Sequence, residues 1–505
     1  MFAKRHIMTA AVALATAQLT LAATPREKGE IFFYPLTQSA AVATVAGDSG
    51  KQTHFNEVNH PWQTPPGVKQ ENLTSMKEIE ADTAQSVVRV PGVGSSASMW
   101  DMAAFDPSGQ YIFIPHETPM GAGVTRYSIE DDSATLLFQG NGMGVRGTNG
   151  DWSNDFGAFD PATFTPNGTL FLAEEWSGQG RVVEVMDPMT AVEGMANYRV
   201  LESIPNVGHE GLRFSHDGGT LYFVDEDNSG SIYKIVFDNP ADYAAGGDVY
   251  VLSVDQFIPN GGNPAANWNS GVNEGIRTGA ATWVALEGTT IDPYQDGIAT
   301  GCSNPLAYGG RCAANEVGGT PFGRPEDMEV SKLRSGETAI YVAATSEQRV
   351  YTIVEKGNGK AEVKIFVGDT ETAKNLDFPA TTAVLNSPDN LAQDAYGNIF
   401  VIEDQPNGND RGGDIWFARD TNRDGVAESL DHFMSIVADG AEATGMIFSP
   451  VNPDMFIVNV QHPDSVDLDS YTDGQGDALW MFDLSEVSVP PYSRAATPAQ
   501  FKNKK

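Results

Sequence analysis

Acidic side chains recur at the ends of short apolar runs in this sequence. In HEGLRFSHDGGTLYFVDEDNSG, the apolar run TLYFV is followed by Asp225, Glu226 and Asp227, and Glu210 precedes it. Carboxylates that lie close together raise one another's pKa and oppose folding unless a cation neutralises them. Calcium takes about six to eight oxygen ligands in irregular geometry, so such acids predict a calcium site. The alternative is a solvated turn at the end of a strand.

The same arrangement recurs in six segments, each with an acid or amide, an apolar piece, a turn, an apolar strand and further polar residues. These segments begin at Trp100, Asn154, His209, Pro325, Pro388 and Glu442. Repeated units of two or three short strands with turn signals are typical of propeller blades. We therefore predict an all-β fold, a six-bladed β-propeller, whose matched strand ends face one central channel.

The spacing of the repeats also predicts the domain limits. The propeller is expected to span residues 86–485, with a long insertion at about 240–321, where two successive units are widely separated. Residues 23–85 are predicted to form an irregular N-terminal arm and residues 486–505 a flexible tail. Residues 1–22 have the basic start, apolar run and small residues of a secretory signal peptide.

The charge balance excludes several classes of partner. The 505 residues include 31 Lys and Arg against 67 Asp and Glu, a net charge of −36. Nucleic acids and anionic membranes attract basic proteins, so neither is expected as a partner. The signal is too short for a membrane span, and the rest of the sequence predicts none. We expect a periplasmic or extracellular monomer.

The chain has two cysteines, Cys302 and Cys312, in the segment GCSNPLAYGGRC. An exported protein meets oxidising conditions, so a disulfide that closes this loop is expected. Two cysteines alone do not make a zinc or iron–sulfur site.

The segment DTNRDGVAESLD resembles a separate calcium loop. Asp420, Asn422 and Asp424 fit positions 1, 3 and 5 of such a loop, while Asp431 stands at position 12, where glutamate is usual. The alternative is a polar hairpin turn between two strands of a blade.

Five ordered motifs resemble the PhoX family of secreted bacterial alkaline phosphatases, which are six-bladed propellers that use calcium and iron. The motifs are GTLFLAEEW, HEGLRFS with LYFVDEDNSGSIYKI, GGTPFGRPEDMEV, SPDNLAQDAYGNIFVIED and TGMIFSPVNPDMFIVNVQHP. The resemblance covers most of residues 86–485. Where the family has a cysteine ligand for iron, immediately before the first glutamate of its EE pair, this chain has Ala173.

The resemblance implies a set of metal ligands and catalytic residues. The implied metal ligands are Glu174, Glu210, Glu326, Asp389, Asn390 and Asp404. Asp227 is added as a second-rank candidate, since it ends a strand as the other acids do. Arg324 and Glu210 are the implied catalytic residues, because a guanidinium offers phosphate two parallel hydrogen bonds.

The resemblance implies a metal-dependent phosphatase that acts on small phosphomonoesters. Bound cations would invert the negative field of the acids and hold the phosphoryl oxygens. Two alternatives stay open: a non-catalytic calcium-stabilised propeller, which Ala173 favours, and a calcium-dependent propeller lactonase or phytase, which rests on fold analogy. Arg324 favours the phosphatase, because a structural calcium site does not need a cation among its ligands.

Overall fold

The computed structural model describes residues 29–42, 55–90, 97–144, 151–257, 275–294, 309–404 and 406–490. In these residues the fold is all-β, as predicted, and the sheets have a propeller-like arrangement. Three short α-helices occur among them: α1 (Phe55–Asn59), α2 (Met76–Asp82) and α3 (Gly309–Glu316). Two 3₁₀ turns span Tyr243–Ala245 and Thr345–Glu347.

The segment predicted to be an irregular arm carries two strands, β1 (Trp62–Gln63) and β2 (Lys69–Ser75). Its residues Phe32 and Phe33 are buried with Trp62 in one apolar cluster. The arm is therefore packed against the sheets, because burying three aromatic side chains offsets the entropy of ordering the chain.

The first two sheets follow each other along the chain. The first sheet contains, in order, β3 (Ala104–Phe105), β4 (Tyr111–Pro115), β5 (Gly123–Ser128) and β6 (Ser133–Gln139). The second contains β7 (Phe159–Phe164), β8 (Leu170–Gly180), β9 (Val182–Val185), β10 (Tyr198–Val200) and β11 (Val207–Gly208). In the first sheet each strand pairs antiparallel with the next along the chain. In the second sheet the same holds from β7 to β10, while β11 pairs antiparallel with β8.

A nine-stranded sheet follows, and it consists of two four-stranded runs joined by one strand. The first run is β12 (Leu212–Phe214), β13 (Thr220–Val224), β15 (Ile232–Phe237) and β16 (Gly247–Val254). The joining strand is β17 (Gly279–Ala285). The second run is β22 (Lys360–Gly368), β21 (Arg349–Gly357), β20 (Thr338–Ala344) and β19 (Pro325–Lys332).

A two-stranded ribbon forms a second link between these two runs, since one of its strands follows β13 and the other precedes β19 along the chain. It pairs β14 (Asn228–Gly230) with β18 (Phe322–Gly323). The insertion expected at about 240–321 therefore supplies β16 and β17 to the large sheet, and α3 as well.

Two more sheets follow, and each recruits a strand of the arm. One contains β24 (Pro388–Gln393), β25 (Ile399–Glu403), β26 (Asp414–Arg419), β27 (Ser429–Ile436) and β1, with β23 (Ala373–Lys374) parallel to β27. The last contains β28 (Glu442–Phe448), β29 (Met455–Gln461), β30 (Ala478–Asp483) and β2. Because β2 covers the edge of β30, this sheet does not leave that edge open.

In the described part of the chain, six buried apolar clusters lie between neighbouring groups of strands. One of them joins the last sheet to the first, through Leu479 and Ile114. Since each sheet is covered on both faces, inner strands such as β25 are buried at every position and read as continuous apolar runs. The acidic strand ends are left to converge at the centre.

Candidate metal centre

Each group of strands contributes one acid from near its start, and these acids form the first set. Its members are Asp101, Asp160, Glu210, Glu326, Asp389 and Glu442. Asp160, Glu326, Asp389 and Glu442 lie in the first strands β7, β19, β24 and β28, while Asp101 and Glu210 precede β3 and β12 by a few residues. The repeated position in each group is what brings these acids together.

β-Bulges lie at three of these acids. The strand pairing shifts register between Phe159 and Ala162 in β7, around Asp160. Equivalent shifts surround Glu326 in β19 and Asp389 in β24. A bulge leaves an extra residue outside the ladder and turns its side chain, so these irregularities direct the acids out of the strand ladder.

A second set of acids comes from the ends of the next strands. Its members are Glu117 after β4, Glu175 in β8, Glu226 after β13 and Asp404 after β25. Burial and then repulsion from Asp389 and Glu442 raise the pKa of Asp404 well above its usual range. The two sets of acids therefore share one electrostatic environment.

Two groups of these carboxylates are close enough to share a cation. Glu210, Glu326 and Asp389 offer oxygens that lie within 4.8 Å of one another, and so do Asp101, Glu117 and Asp160. Asp101 Oδ1, Asp160 Oδ1 and Glu210 Oε1 are buried without a hydrogen-bond partner. A buried carboxylate without a partner is costly, so these oxygens are suited to an ion.

Burial is the main cause of strong pKa shifts at both groups. It raises the pKa of Glu326 to about 7 and that of Asp389 to about 8, where repulsion from Glu326 adds to the effect. Burial and the nearby Asp101 raise the pKa of Glu117 to about 8. Without a cation these acids retain protons near neutral pH, and a cation can replace those protons.

Arg324 lies among the acids with a backbone φ of +50°. Its Nε is 3.0 Å from Glu326 Oε1 and 3.1 Å from Glu226 Oε2. Its side chain remains 33% exposed, and the coulombic effect of Glu326 raises its pKa above the ordinary value. A guanidinium in this place is permanently charged and open to a ligand.

His462 adds a second cationic group beside the acids. Its Nε2 lies 3.1 Å from Glu442 Oε2. Burial lowers the pKa of His462, but the bond to Glu442 outweighs burial and raises the pKa to about 9. His462 is therefore positively charged at neutral pH.

The structure brings together most of the residues that the sequence singles out. Glu210, Glu326 and Asp389 form one of the two groups, with Arg324 beside them. Asn390 lies next to this group, and both ends of its side-chain amide make hydrogen bonds within the protein. Its Nδ2 donates to Asp389 Oδ1 at 3.0 Å, and its Oδ1 accepts from the Gly445 amide at 2.8 Å.

Glu174 is not brought to the centre. It is buried against Arg181, whose Nε and Nη2 each lie 2.7 Å from one of its oxygens. The next residue, Glu175, belongs to the second set of acids, since successive side chains of a strand point to opposite faces. Ala173 is fully buried in an apolar cluster with Phe171.

Asp227 pairs with an arginine rather than with the acids. Its Oδ2 lies 2.7 Å from Arg311 Nη2, and Arg311 also binds both oxygens of Asp225. Of the three consecutive acids at the end of β13, Glu226 is the one that contacts Arg324.

The segment proposed as a calcium loop forms the turn between β26 and β27. Asp420 accepts hydrogen bonds from the amides of Asp424 and Gly425, and Asn422 accepts another from Asp424. Asp431 lies in β27 and pairs with Arg419 at 2.9 Å. The hairpin alternative thus accounts for the hydrogen bonds of these side chains.

Cys312 lies in α3 and is disulfide-bonded. Cys302 and the predicted signal peptide, residues 1–22, lie outside the described residues.

Asp160 is a member of the centre that the repeat pattern does not predict. The pattern matches Asp101 with Asp155, yet Asp155 accepts hydrogen bonds from the amides of Gly121 and Gly144. Both acids occur in the segment NDFGAFDP. Asp160 lies at the bulge in β7, whereas Asp155 precedes that strand, and the sequence carries no clear signal for the bulge.

No helix among the described residues is long and apolar enough to cross a membrane. No curated protein sequence matches the chain.

Several solved structures are similar to this chain, and one of them has a TM-score above 0.5, which indicates the same type of fold. The chain resembles Pseudomonas fluorescens PhoX in complex with vanadate, a transition state analogue, with a TM-score of 0.58 at 15% identity over 91% of this chain and 99% of that chain. A gluconolactonase from Xanthomonas campestris matches with a TM-score of 0.40 at 9% identity, over 88% and 98% of the two chains. The calcium-binding protein regucalcin from Agrobacterium tumefaciens matches with a TM-score of 0.37 at 11% identity, over 80% and 96%.

A sequence model of the family described as alkaline phosphatase PhoX matches residues 153–464. This match spans Glu175, Glu210, Arg324, Glu326 and Asp389. Since it covers more than half of the 505 residues, the chain belongs to the PhoX alkaline phosphatase family and is a phosphatase.

Proposed function

We propose that this phosphatase hydrolyses small phosphomonoesters at the two carboxylate groups, with calcium as its cofactor. The observation that carries the proposal is that unpartnered carboxylate oxygens and a positively charged guanidinium lie in one site. Buried carboxylate oxygens of Asp101, Asp160 and Glu210 have no hydrogen-bond partner. The partly exposed guanidinium of Arg324 lies beside Glu326, which belongs to the same group as Glu210. Such acids alone would repel a phosphate ester, whereas cation-loaded acids with an arginine attract it.

The residues present fit calcium. Both groups consist of carboxylates, the hard oxygen ligands that calcium prefers. We assign Glu210, Glu326 and Asp389 to one ion and Asp101, Glu117 and Asp160 to another. Asp404 adds negative charge nearby, and Asn390 orients Asp389. We leave Glu174 and Asp227 out of the ligand set because arginine side chains bind their oxygens.

Iron is the less suitable of the two expected metals. The position of the family thiolate holds Ala173, and its methyl group lies in an apolar cluster. An iron ion at this centre would have oxygen ligands and no sulfur ligand from that position. We therefore propose calcium as the resident ion.

The bound cations, Arg324 and Glu210 have distinct parts in the proposed reaction. When bound, the cations supply charge neutralisation and Lewis-acid polarisation of the phosphoryl oxygens and of water. Arg324 binds and orients the phosphoryl group with its free donors, while Glu226 and Glu326 hold the guanidinium in place. Glu210, with one buried oxygen free of hydrogen bonds, would hold the ion that acts on the reacting group.

We also propose that the sheets form six blades and that the protein is exported. The count of six treats the nine-stranded sheet as two blades joined through β17, and six clusters between strand groups support it. The basic and apolar start of the sequence supports export to the periplasm or beyond.

Matched variants on one strand test the assignment. Glu326→Gln should lose bound calcium and lower kcat/KM for a chromogenic phosphomonoester by roughly a hundredfold or more. Glu329→Gln is the control, since Glu329 also lies in β19 but pairs with Arg213 at 3.3 Å. Full activity and calcium content in Glu326→Gln would refute the proposed site.

A further inference from the structure

Glu226 and Arg324, which meet beside the metal centre, flank the two strands of the β14–β18 ribbon. Strand β14 begins two residues after Glu226, and Arg324 follows β18 directly. Asn228 pairs with Gly323, and Gly230 pairs with Phe322. The distance between Glu226 and Arg324 therefore depends on how this ribbon is held.

Arg311 in α3 holds the β14 side of the ribbon. Its Nε lies 2.6 Å from Asp225 Oδ2, and its Nη2 lies 2.7 Å from both Asp225 Oδ1 and Asp227 Oδ2. These two aspartates flank Glu226, whose own amide donates to the Gly208 carbonyl at 2.8 Å. One guanidinium thus fixes the backbone on both sides of the glutamate that receives Arg324.

Arg277 holds the β18 side in a similar way. Its Nε donates to the Pro321 carbonyl at 2.7 Å and lies 3.5 Å from Glu347 Oε1. The same glutamate oxygen accepts from the Gly323 amide at 2.8 Å. The residues immediately before Arg324 are therefore bound by a second buried arginine.

Both arginines come from the segment between β16 and β18, which interrupts the repeat. Arg311 is 1% exposed and Arg277 is 4% exposed, so neither serves as a surface charge. Their contacts with described residues given above lie at the ribbon and Glu347 rather than at the two carboxylate groups. A buried ion pair is often no more stabilising than apolar packing, so stability alone does not account for two of them at one ribbon.

We propose that Arg311 and Arg277 are positioning residues for phosphate binding, which set the place of Arg324. The inference rests on the phosphate-binding role proposed above for Arg324. A guanidinium binds the two aspartates through separate nitrogens at fixed angles, whereas the ammonium of lysine offers rotatable donors on one nitrogen and does not impose that geometry. Loss of this clamp moves Glu226, and with it the guanidinium of Arg324.

The test substitutes Arg311→Lys and measures two properties, turnover of a chromogenic phosphomonoester and calorimetric binding of inorganic phosphate. We expect about a tenfold loss in kcat/KM, mainly through a higher KM, and about tenfold weaker phosphate binding, with calcium content unchanged. Arg419→Lys is the control, because it alters another buried Arg–Asp pair, that with Asp431, between β26 and β27. It should leave both properties unchanged within about twofold.

A milder variant guards against misfolding. Asp227→Asn removes the negative charge from one arm of the clamp at a side chain that is 27% exposed, and we expect the same two losses on a smaller scale, about threefold. In an Arg324→Ala background, Arg311→Lys should add no further loss, since its effect passes through Arg324. A purely stabilising role predicts equal losses in both backgrounds and would overturn the inference.

The outcomes also separate this inference from the proposed function. Wild-type protein that binds phosphate but hydrolyses no phosphomonoester contradicts the proposed function, and phosphate affinity still tests the clamp. Unchanged phosphate affinity in both clamp variants, or no phosphate binding by the wild type, would overturn the inference.

Discussion

At the scale of single residues, the centre is defined by which oxygens are free and which are bound. Glu174 and Asp227 are bound by arginines, while Asp101, Asp160 and Glu210 each keep one buried oxygen without a partner. A cation is attracted to the second class, because ligand oxygens need lone pairs that no donor occupies.

Arg324 provides the most specific test at this scale. Arg324→Ala removes the guanidinium that we assign to the phosphoryl group, so kcat/KM should fall by about a hundredfold or more. Arg324→Lys keeps the charge but not the fork of donors, so it should recover only part of the loss. Steady-state kinetics with a phosphomonoester would measure both, and wild-type activity in Arg324→Ala would contradict the assignment.

The neighbours Glu174 and Glu175 form a second matched pair. Glu175→Gln should reduce activity, since Glu175 faces the other acids. Burial raises the pKa of Glu175 most, and repulsion from Glu117 raises it further. Glu174→Gln should instead lower the unfolding temperature, because it weakens the buried pair with Arg181. Activity per folded molecule and thermal unfolding distinguish the two effects, and the reverse pattern would favour Glu174 as the ligand.

The sequence predicts the type of chemistry at these residues better than the exact members. Glu210, Glu326 and Asp389 are predicted and are brought together, because their motifs repeat with the blades. Asp160 and Glu175 are not selected, since a bulge or a one-residue shift in a strand changes the face of a side chain without changing the local pattern.

At the scale of strands and sheets, the arm is where the sequence prediction and the structure differ most. Its residues are rich in turn formers, and its strands are short, so no periodic pattern is visible. Pairing with β27 and β30 orders them, and this depends on residues hundreds of positions away. Contacts of such long range cannot be read from local sequence.

The arm gives a prediction about stability. Trp62 is buried and contacts Phe482 with a ring-centroid distance of 5.9 Å. Trp62→Ala should therefore destabilise the fold by about 3–5 kcal/mol, while kcat of the folded enzyme should remain close to wild type. Tyr34→Ala is the control in the same arm, since Tyr34 is 39% exposed. Denaturant unfolding would test this, and equal midpoints for the two variants would contradict the packing described.

At the scale of the whole molecule, the fold concentrates negative charge that it must neutralise. The chain has a net charge of −36, and one acid from each group of strands converges on the centre. The all-β class and the convergence of strand ends follow from the repeat, because equivalent positions of repeated units face one axis. The ribbon between β14 and β18 and the packing of the interrupting segment do not follow from it.

This charge predicts an unusual dependence of stability on pH. Burial raises the pKa of Glu326 from 4.5 to about 7 and that of Asp389 from 3.8 to about 8. At a pH between the unfolded and the folded pKa of each acid, the folded state binds more protons than the unfolded state. The free energy of unfolding therefore falls as pH rises through this range. We expect the unfolding temperature of calcium-free protein to fall between about pH 5 and pH 8. A rise over this range would contradict the shifts.

Calcium removal is the measurement that tests the central claim most directly. Protein stripped by a chelator should lose phosphomonoesterase activity and regain it when calcium alone is added back, with calcium bound in proportion to the recovered activity. Calcium should also raise the unfolding temperature more at about pH 8 than at pH 5, since it displaces fewer protons there. Activity that survives complete removal of metal, or that returns with iron but never with calcium, would contradict the account.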